Sequence, residues 1–225
     1  MNLIEKYYSH LSGLTCECQY TMRHVENATG EYNLVAVSSP ADKINIVNNG
    51  YIIGLLSAYL KSRGMQISLH NPDKETRRVV GKMDYEYQTI IEYRKEEKKK
   101  WSDKIPYLLS RLAMSKMCVF KEEVEKSVVN VVEAARTSRS TYNNQPWRLV
   151  AYNNRIHIFC RDDKDFFEKQ LYISKMRDIG MAIADMELAA EEEWLMTNYE
   201  INERVADKKI KNHEYVITMF LNKTV

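Results

Sequence analysis

Arg139-Ser140-Thr141-Tyr142-Asn143-Asn144-Gln145-Pro146-Trp147-Arg148 decides how this chain is read. The run follows an amphipathic segment, Lys121 to Arg136, whose apolar residues Val124, Val128, Val131, Val132 and Ala135 recur at helical spacing. It precedes Trp147-Arg148-Leu149-Val150-Ala151-Tyr152, which reads as a strand. It is therefore a polar helix-to-strand connection crowded with hydroxyls and amides, groups that both donate and accept. Such side chains match an uncharged heterocycle edge, which alternates donors and acceptors. Pro146 stiffens the connection and predicts an extended Gln145. Chemistry alone leaves two readings open: a ligand rim, or a loop whose polar groups satisfy one another in local turns.

Outward from this run, the pattern is that of a mixed fold. Downstream, Arg155 to Cys160 reads as a second strand across an Asn153-Asn154 hairpin turn, with His157 on its outward face. Asp178 to Met196 reads as a helix with Ile179, Ile183, Met186 and Ala190 on one side, and Tyr215 to Leu221 as a last strand. Upstream, Tyr32 to Ser38 reads as a strand and Ile44 to Arg63 as a helix carrying Val47, Tyr51, Leu55 and Tyr59, stopped by Gly64. Asp84 to Tyr93 alternates like a strand, and the charged stretch Glu92 to Lys100 reads as a solvated connector. A loose echo links the halves: Gly50 and Gly64 in the first recur as Gly180 and Trp194 in the second. The division expected is residues 1–100 and 101–225, two related halves of one compact domain.

Composition narrows the function classes. The chain has 225 residues, 44% hydrophobic and 28% charged, with a formal net charge of +2. That charge is too small to argue for nucleic acid, and Glu96 and Glu97 interrupt the basic run from Arg94 to Lys100. No apolar run approaches membrane-spanning length, and the charged start Glu5-Lys6 is unlike a signal peptide, so a cytoplasmic protein without a membrane partner is expected. Cys16, Cys18, Cys118 and Cys160 lack paired ligand spacings, so no metal site is expected and reduced thiols are.

The decisive run resembles the segment Pro-Ser-Ser-x-Asn-x-Gln-Pro-Trp of nitroreductase-like FMN-dependent proteins, which follows a helix containing Ala-Ala-Arg. Ala134-Ala135-Arg136 and then Ser140, Thr141, Asn143, Gln145, Pro146 and Trp147 stand in the matching places. Asp178-Ile179-Gly180 with Glu187-Leu188-Ala189-Ala190 is similar to a second helix of that family. The first half looks like the single-chain branch, in which two similar halves mimic a dimer. The resemblance implies an α+β fold, a mainly antiparallel sheet flanked by helices, with two pseudo-symmetric halves in one chain. It implies an NAD(P)H:acceptor oxidoreductase, in which FMN relays a hydride from NADH or NADPH to a nitroaromatic or quinone-type acceptor. No Ser/His/Asp catalytic set is needed, because the cofactor does the chemistry. The partner is that small molecule, and the chain is a monomer or homodimer.

By the same resemblance, Ser140, Thr141, Asn143 and Gln145 touch the flavin. The family's phosphate-holding Arg-x-Ser-x-Arg is represented near the start by Ser9, with Tyr7 and Leu11 where arginines would be. Two lost charge-assisted bonds, at about 1.5–3 kcal/mol each, weaken FMN several hundredfold unless another cation substitutes. Arg111 and Arg139 are the main candidates, beside Lys6 and His10. Asn71 stands where the branch has a flavin-lining glycine. These departures motivate an alternative: a non-catalytic member of the fold that has lost FMN and binds another ligand or a partner.

Overall fold

The computed structural model describes residues 18–27, 30–71, 73–85, 87–95, 110–161, 168–201, 203–206 and 212–223. In the first half, β1 (Gln19–Asn27) and β2 (Gly30–Ser39) lead into α1 (Lys43–Ser62), then β3 (Met65–His70), α2 (Lys74–Val80) and β4 (Tyr87–Lys95). In the second, the short α3 (Met114–Met117) and β5 (Cys118–Phe120) precede α4 (Lys126–Thr137), β6 (Trp147–Tyr152) and β7 (Arg155–Arg161). Then come α5 (Glu168–Glu192), β8 (Leu195–Glu200), α6 (Glu203–Ala206) and β9 (His213–Lys223).

Both halves use one wiring. The first sheet is ordered β1-β2-β4-β3 and the second β5-β6-β7-β9-β8. With β5 set aside, each is a hairpin, a long helix, a strand placed at the sheet edge, and a last strand inserted between. All pairings are antiparallel except β5 with β6. The expected α+β architecture with two pseudo-symmetric halves is what the chain forms.

The core lies between the sheets, around α1 and α5. Val47, Tyr51 and Leu55 are buried as the periodicity requires, and so are Ile179, Ile183, Met186 and Ala190. The helices cross where both lack side chains. A Cβ on Gly50 would lie 2.0 Å from the Arg177 carbonyl oxygen, and a Cβ on Gly180 would lie 2.0 Å from that of Val47. Only glycine permits this backbone-on-backbone approach. Both helices also end alike. Gly64 N–H bonds to Lys61 O at 2.9 Å and Trp194 N–H to Glu191 O at 3.1 Å, with φ of +71° and +58°. The echo in the sequence is thus a shared crossing and a shared helix stop.

Several expectations are corrected. The helix expected from Lys121 starts at Lys126, because the preceding residues pair with the β6–β7 turn: Lys121 N–H donates to Ala151 O at 3.0 Å and Glu125 N–H to Asn153 Oδ1 at 2.8 Å. The helix expected from Asp178 to Met196 runs from Glu168 to Glu192, and Leu195 and Met196 belong to β8. Glu92 to Lys95 is the end of β4 rather than a connector, and the remainder of that charged stretch lies outside the described residues. His157 lies on the sheet face opposite the core residues Ile156 and Ile158, as expected, but it is covered there: it is 7% exposed and hydrogen-bonded through Nδ1 to Thr218 Oγ1 at 2.8 Å. Tyr59 is exposed, at the end of the α1 stripe.

Among the described residues no helix is long and apolar enough to cross a membrane. Cys118 is buried, which pushes its thiol up to about 12.

Candidate functional site

The Ser140–Gln145 run forms a tight loop between α4 and β6, built on a single 3-10 turn over Thr141–Asn143. Its backbone is unusual. Tyr142, Asn143 and Gln145 have φ of +52°, +56° and +47°, all in the left-handed region that non-glycine residues avoid. Gln145 is therefore not extended, despite Pro146. The loop is held by internal bonds: Asn143 N–H to Ser140 O (3.0 Å), Asn144 N–H to Thr141 O (3.0 Å) and Gln145 N–H to Ser140 Oγ (2.9 Å).

Two further anchors fix it from outside. From α5, the Asp178 carboxylate accepts from Thr141 N–H at 2.7 Å and from Thr141 Oγ1 at 3.1 Å. From the segment before α3, Arg111 donates to Asn143 Oδ1 at 2.7 Å, to Thr137 O at 3.1 Å and to Ser138 O. Gln145 Oε1 accepts from Leu112 N–H at 2.9 Å, and Asn143 Nδ2 donates to Ser110 Oγ at 3.0 Å. Arg111 and Gln145 are both buried. Burial, with Arg136 and Arg139 nearby, pulls Arg111 down to about 10, which leaves it charged at neutral pH. Burial also raises Asp178 to about 6, outweighing Arg177 and the Thr141 bonds.

Arg177 joins the halves. Its Nη2 donates to Thr141 Oγ1 at 2.8 Å and its Nη1 to Asn71 Oδ1 at 3.2 Å, across from the end of β3. Nη2 also lies 3.7 Å from Asp178 Oδ1. Asn71 of the first half and Thr141 of the second thus share one buried guanidinium. Arg139 is exposed and Ser140 half-buried. Ser9, with Lys6, Tyr7, His10 and Leu11, lies outside the described residues.

Beside the loop, on the second sheet, is a cavity of about 490 Å³. Lys116, Arg148 and Arg161 give it a cationic lining with the His213 imidazole beside them, Val150 and Phe159 an apolar wall, and no carboxylate lines it among the described residues. Arg148 and Arg161 tie cavity to loop: Arg148 Nη1 donates to Gln145 O at 2.9 Å, and Arg161 Nη2 to Asn144 Oδ1 at 2.9 Å. The volume is within the range of small-molecule sites, roughly 300–1,000 Å³. Cations beside an apolar wall suit an anionic tail on a flat ring. The sequence reading missed Arg177, Lys116, Arg161 and His213. They come from separate elements, so no local spacing announces them; only Arg148 stood in the quoted run.

FMN can be tested against this donor set. Its phosphate would match the cavity cations; Ser140 and Asn143 are partly exposed but already bonded, Ser140 Oγ accepting from Gln145 N–H and the Asn143 amide engaging Arg111 and Ser110, so they would meet a ring edge only by sharing those bonds. Gln145 and Arg111 fit as supports, since their polar groups already face protein partners. The cations present therefore fit the phosphate of such a group.

Comparison with known proteins agrees with the architecture. A family model described as "Putative TM nitroreductase" matches residues 12–190. The chain is similar in fold to a putative nitroreductase from Thermotoga maritima MSB8, known from a crystal structure at 2.00 Å resolution. The TM-score is 0.54 and the identity 14%, over 97% of this chain and 84% of that one. No curated protein matches the chain. At that identity the structural likeness speaks for the fold, while the family model speaks for an oxidoreductase of the nitroreductase kind. Spanning well over half the sequence, that match shows that this chain belongs to the TM nitroreductase family.

Proposed function

We propose that this protein is an FMN-dependent oxidoreductase that passes a hydride from NADH or NADPH to a nitroaromatic or quinone-type acceptor. The observation that carries the reading is the cavity with Lys116, Arg148, Arg161 and His213 in its lining, tied by two arginines to the loop of the family segment. FMN, when bound, supplies the redox chemistry: a ring that takes a hydride from one molecule and gives it to another. The chain's own residues bind and orient. The four cavity side chains hold the phosphate, a task for which Arg148 and Arg161 can replace the arginines absent at Tyr7 and Leu11. Ser140, Thr141 and Asn143 present neutral hydrogen-bonding groups to the ring edge, and the exposed Arg139 adds positive charge beside them. Arg111, Gln145 and Asp178 keep the loop in its left-handed shape.

The test is the visible absorption spectrum of the purified protein before and after FMN is added, followed by titration. Flavin bands and a saturable uptake are expected. Arg148→Ala and Arg161→Ala each weaken FMN by about ten- to a hundredfold, the size of one charge-assisted bond. Their melting temperatures serve as the control for folding. A colourless protein that ignores added FMN would sink the proposal.

One observation favours a second reading, a non-catalytic member that has lost FMN. Thr141, Asn143 and Gln145 all hydrogen-bond to protein groups, as a loop that serves only itself would. It predicts no flavin-dependent NAD(P)H oxidation even in excess FMN. Oxidation that disappears in Asn143→Ala rejects it.

A further inference from the structure

Tyr142 is 93% exposed. Its backbone is left-handed, at φ +52° and ψ +24°. An L-residue with a Cβ gives up about 1–2 kcal/mol in that conformation. Glycine would adopt it freely, and asparagine more readily than tyrosine. Folding gains little from a phenol ring standing in water. The strain is nonetheless enforced from both sides. Thr141, one residue before, is pinned by two bonds to Asp178, and Asn143, one residue after, is held by Arg111 and Ser110. The backbone that carries the ring is thus held on a rigid support, with the ring itself in solvent. In sequence Tyr142 stands between Thr141 and Asn143, two of the residues proposed to meet the flavin ring edge. Two residues on, Asn144 touches Arg161 of the cationic cavity, and through Thr141 the loop meets Arg177 at the join between the halves.

We infer that Tyr142 is a specificity-determining residue, a stacking wall for the flat, electron-poor acceptor. The inference rests on the FMN reading above. A phenol ring is electron-rich, and a nitroaromatic or quinone ring is electron-poor. Offset face-to-face packing of the two is favoured, and such contacts contribute beyond simple burial. An aromatic side chain has few rotatable bonds to immobilise on binding, and here the backbone beneath it is already held. The wall discriminates against aliphatic acceptors, which offer no π-face.

The experiment uses oxidised, FMN-loaded protein without NAD(P)H, so that binding is measured without turnover. p-Nitrobenzoate is titrated while the flavin absorbance is followed, and cyclohexanecarboxylate is the aliphatic control. Tyr142→Ala is expected to weaken p-nitrobenzoate about three- to tenfold, in line with one aromatic contact. Tyr142→Phe should stay within about twofold of wild type, since the ring persists. FMN affinity and melting temperature should be unchanged in both, and the control ligand should be indifferent to either. Equal p-nitrobenzoate affinity in wild type and Tyr142→Ala overturns the inference and leaves the FMN reading standing. So does a Tyr142→Ala effect confined to sedimentation behaviour, which would make the ring a contact between copies. Failure of wild type to take up FMN removes the FMN reading itself, and the stacking wall with it.

Discussion

Gly180→Ala should destabilise the protein strongly, although alanine is the better helix former by about 1 kcal/mol. The added methyl carbon would sit 2.0 Å from the Val47 carbonyl oxygen and 2.7 Å from the Tyr51 nitrogen. A relaxed carbon–oxygen contact is about 3.3–3.6 Å, so α1 and α5 must part by about 1.3 Å along that line. Both obstacles are backbone, and no rotamer change relieves them. A radial gap of about 0.5–1 Å already forfeits a quarter to a half of each dispersion contact, and the loss extends to Tyr51, Met181 and Ala184 beside the crossing. Overpacking of this kind costs about 3 kcal/mol, which leaves a net loss of about 2 after the propensity gain. Gly50→Ala should behave alike, its methyl lying 2.0 Å from the Arg177 carbonyl oxygen. The double variant should lose less than the sum, because helices already parted by one methyl accommodate the second. Urea unfolding, followed by far-ultraviolet circular dichroism, measures all three. Gly64→Ala is the control: nothing lies within 4 Å of its added carbon, so its cost of about 1 kcal/mol is that of φ +71° alone. A Gly180→Ala protein as stable as wild type, or more so, would refute the argument that backbone contact sets the crossing.

Two other perturbations follow from named side chains. Burial raises Asp178 from 3.8 to about 6, so the folded state holds that proton more tightly than the unfolded chain does. Its contribution is therefore most favourable below about pH 4, declines as pH rises towards 6 and is level beyond, over a range on the order of 2–3 kcal/mol. Asp178→Asn should flatten that segment of the stability–pH curve, measured by urea midpoints at fixed ionic strength; an unchanged slope between pH 4 and 6 would assign it elsewhere. Trp194→Gly should be neutral or stabilising by up to about 1 kcal/mol, since a residue 80% exposed at φ +58° gives up left-handed strain. A drop in melting temperature would show that the Trp194 ring holds more than its exposure suggests.

The elements legible in the sequence are those whose pattern is local. Trp147 to Tyr152 alternates buried and half-buried residues as written, and α1 shows its inner face at Val47, Tyr51 and Leu55. The strands that escaped notice lie at sheet edges. β1, with Gln19, Arg23, His24 and Glu26 along it, and β8, with Met196, Asn198 and Glu200 exposed, have one neighbour each among the described residues and show no clear apolar alternation. Asp178 misled for a physical reason. An aspartate ahead of an apolar run commonly caps a helix, and this one does cap a backbone N–H, but that of Thr141, far away in the sequence. The polar run was legible as a loop between helix and strand. That its amides would face Ser110, Arg111 and Leu112 was not, because those pairings arise only when distant segments meet. The cavity cations were hidden for the same reason.

The near-twofold crossing at Gly50 and Gly180 brings corresponding places of the two helices side by side. In a dimer of identical chains, any substitution beside the axis occurs twice, and a cation placed there would confront its own copy. Val47 and Arg177 occupy corresponding places, each lending its carbonyl to the other helix's glycine. In a single chain the two places need not match. One is aliphatic, while the other is a guanidinium that reaches both Thr141 and Asn71. The crossing thus has two inequivalent flanks, and the charge of Arg177 lies on one of them.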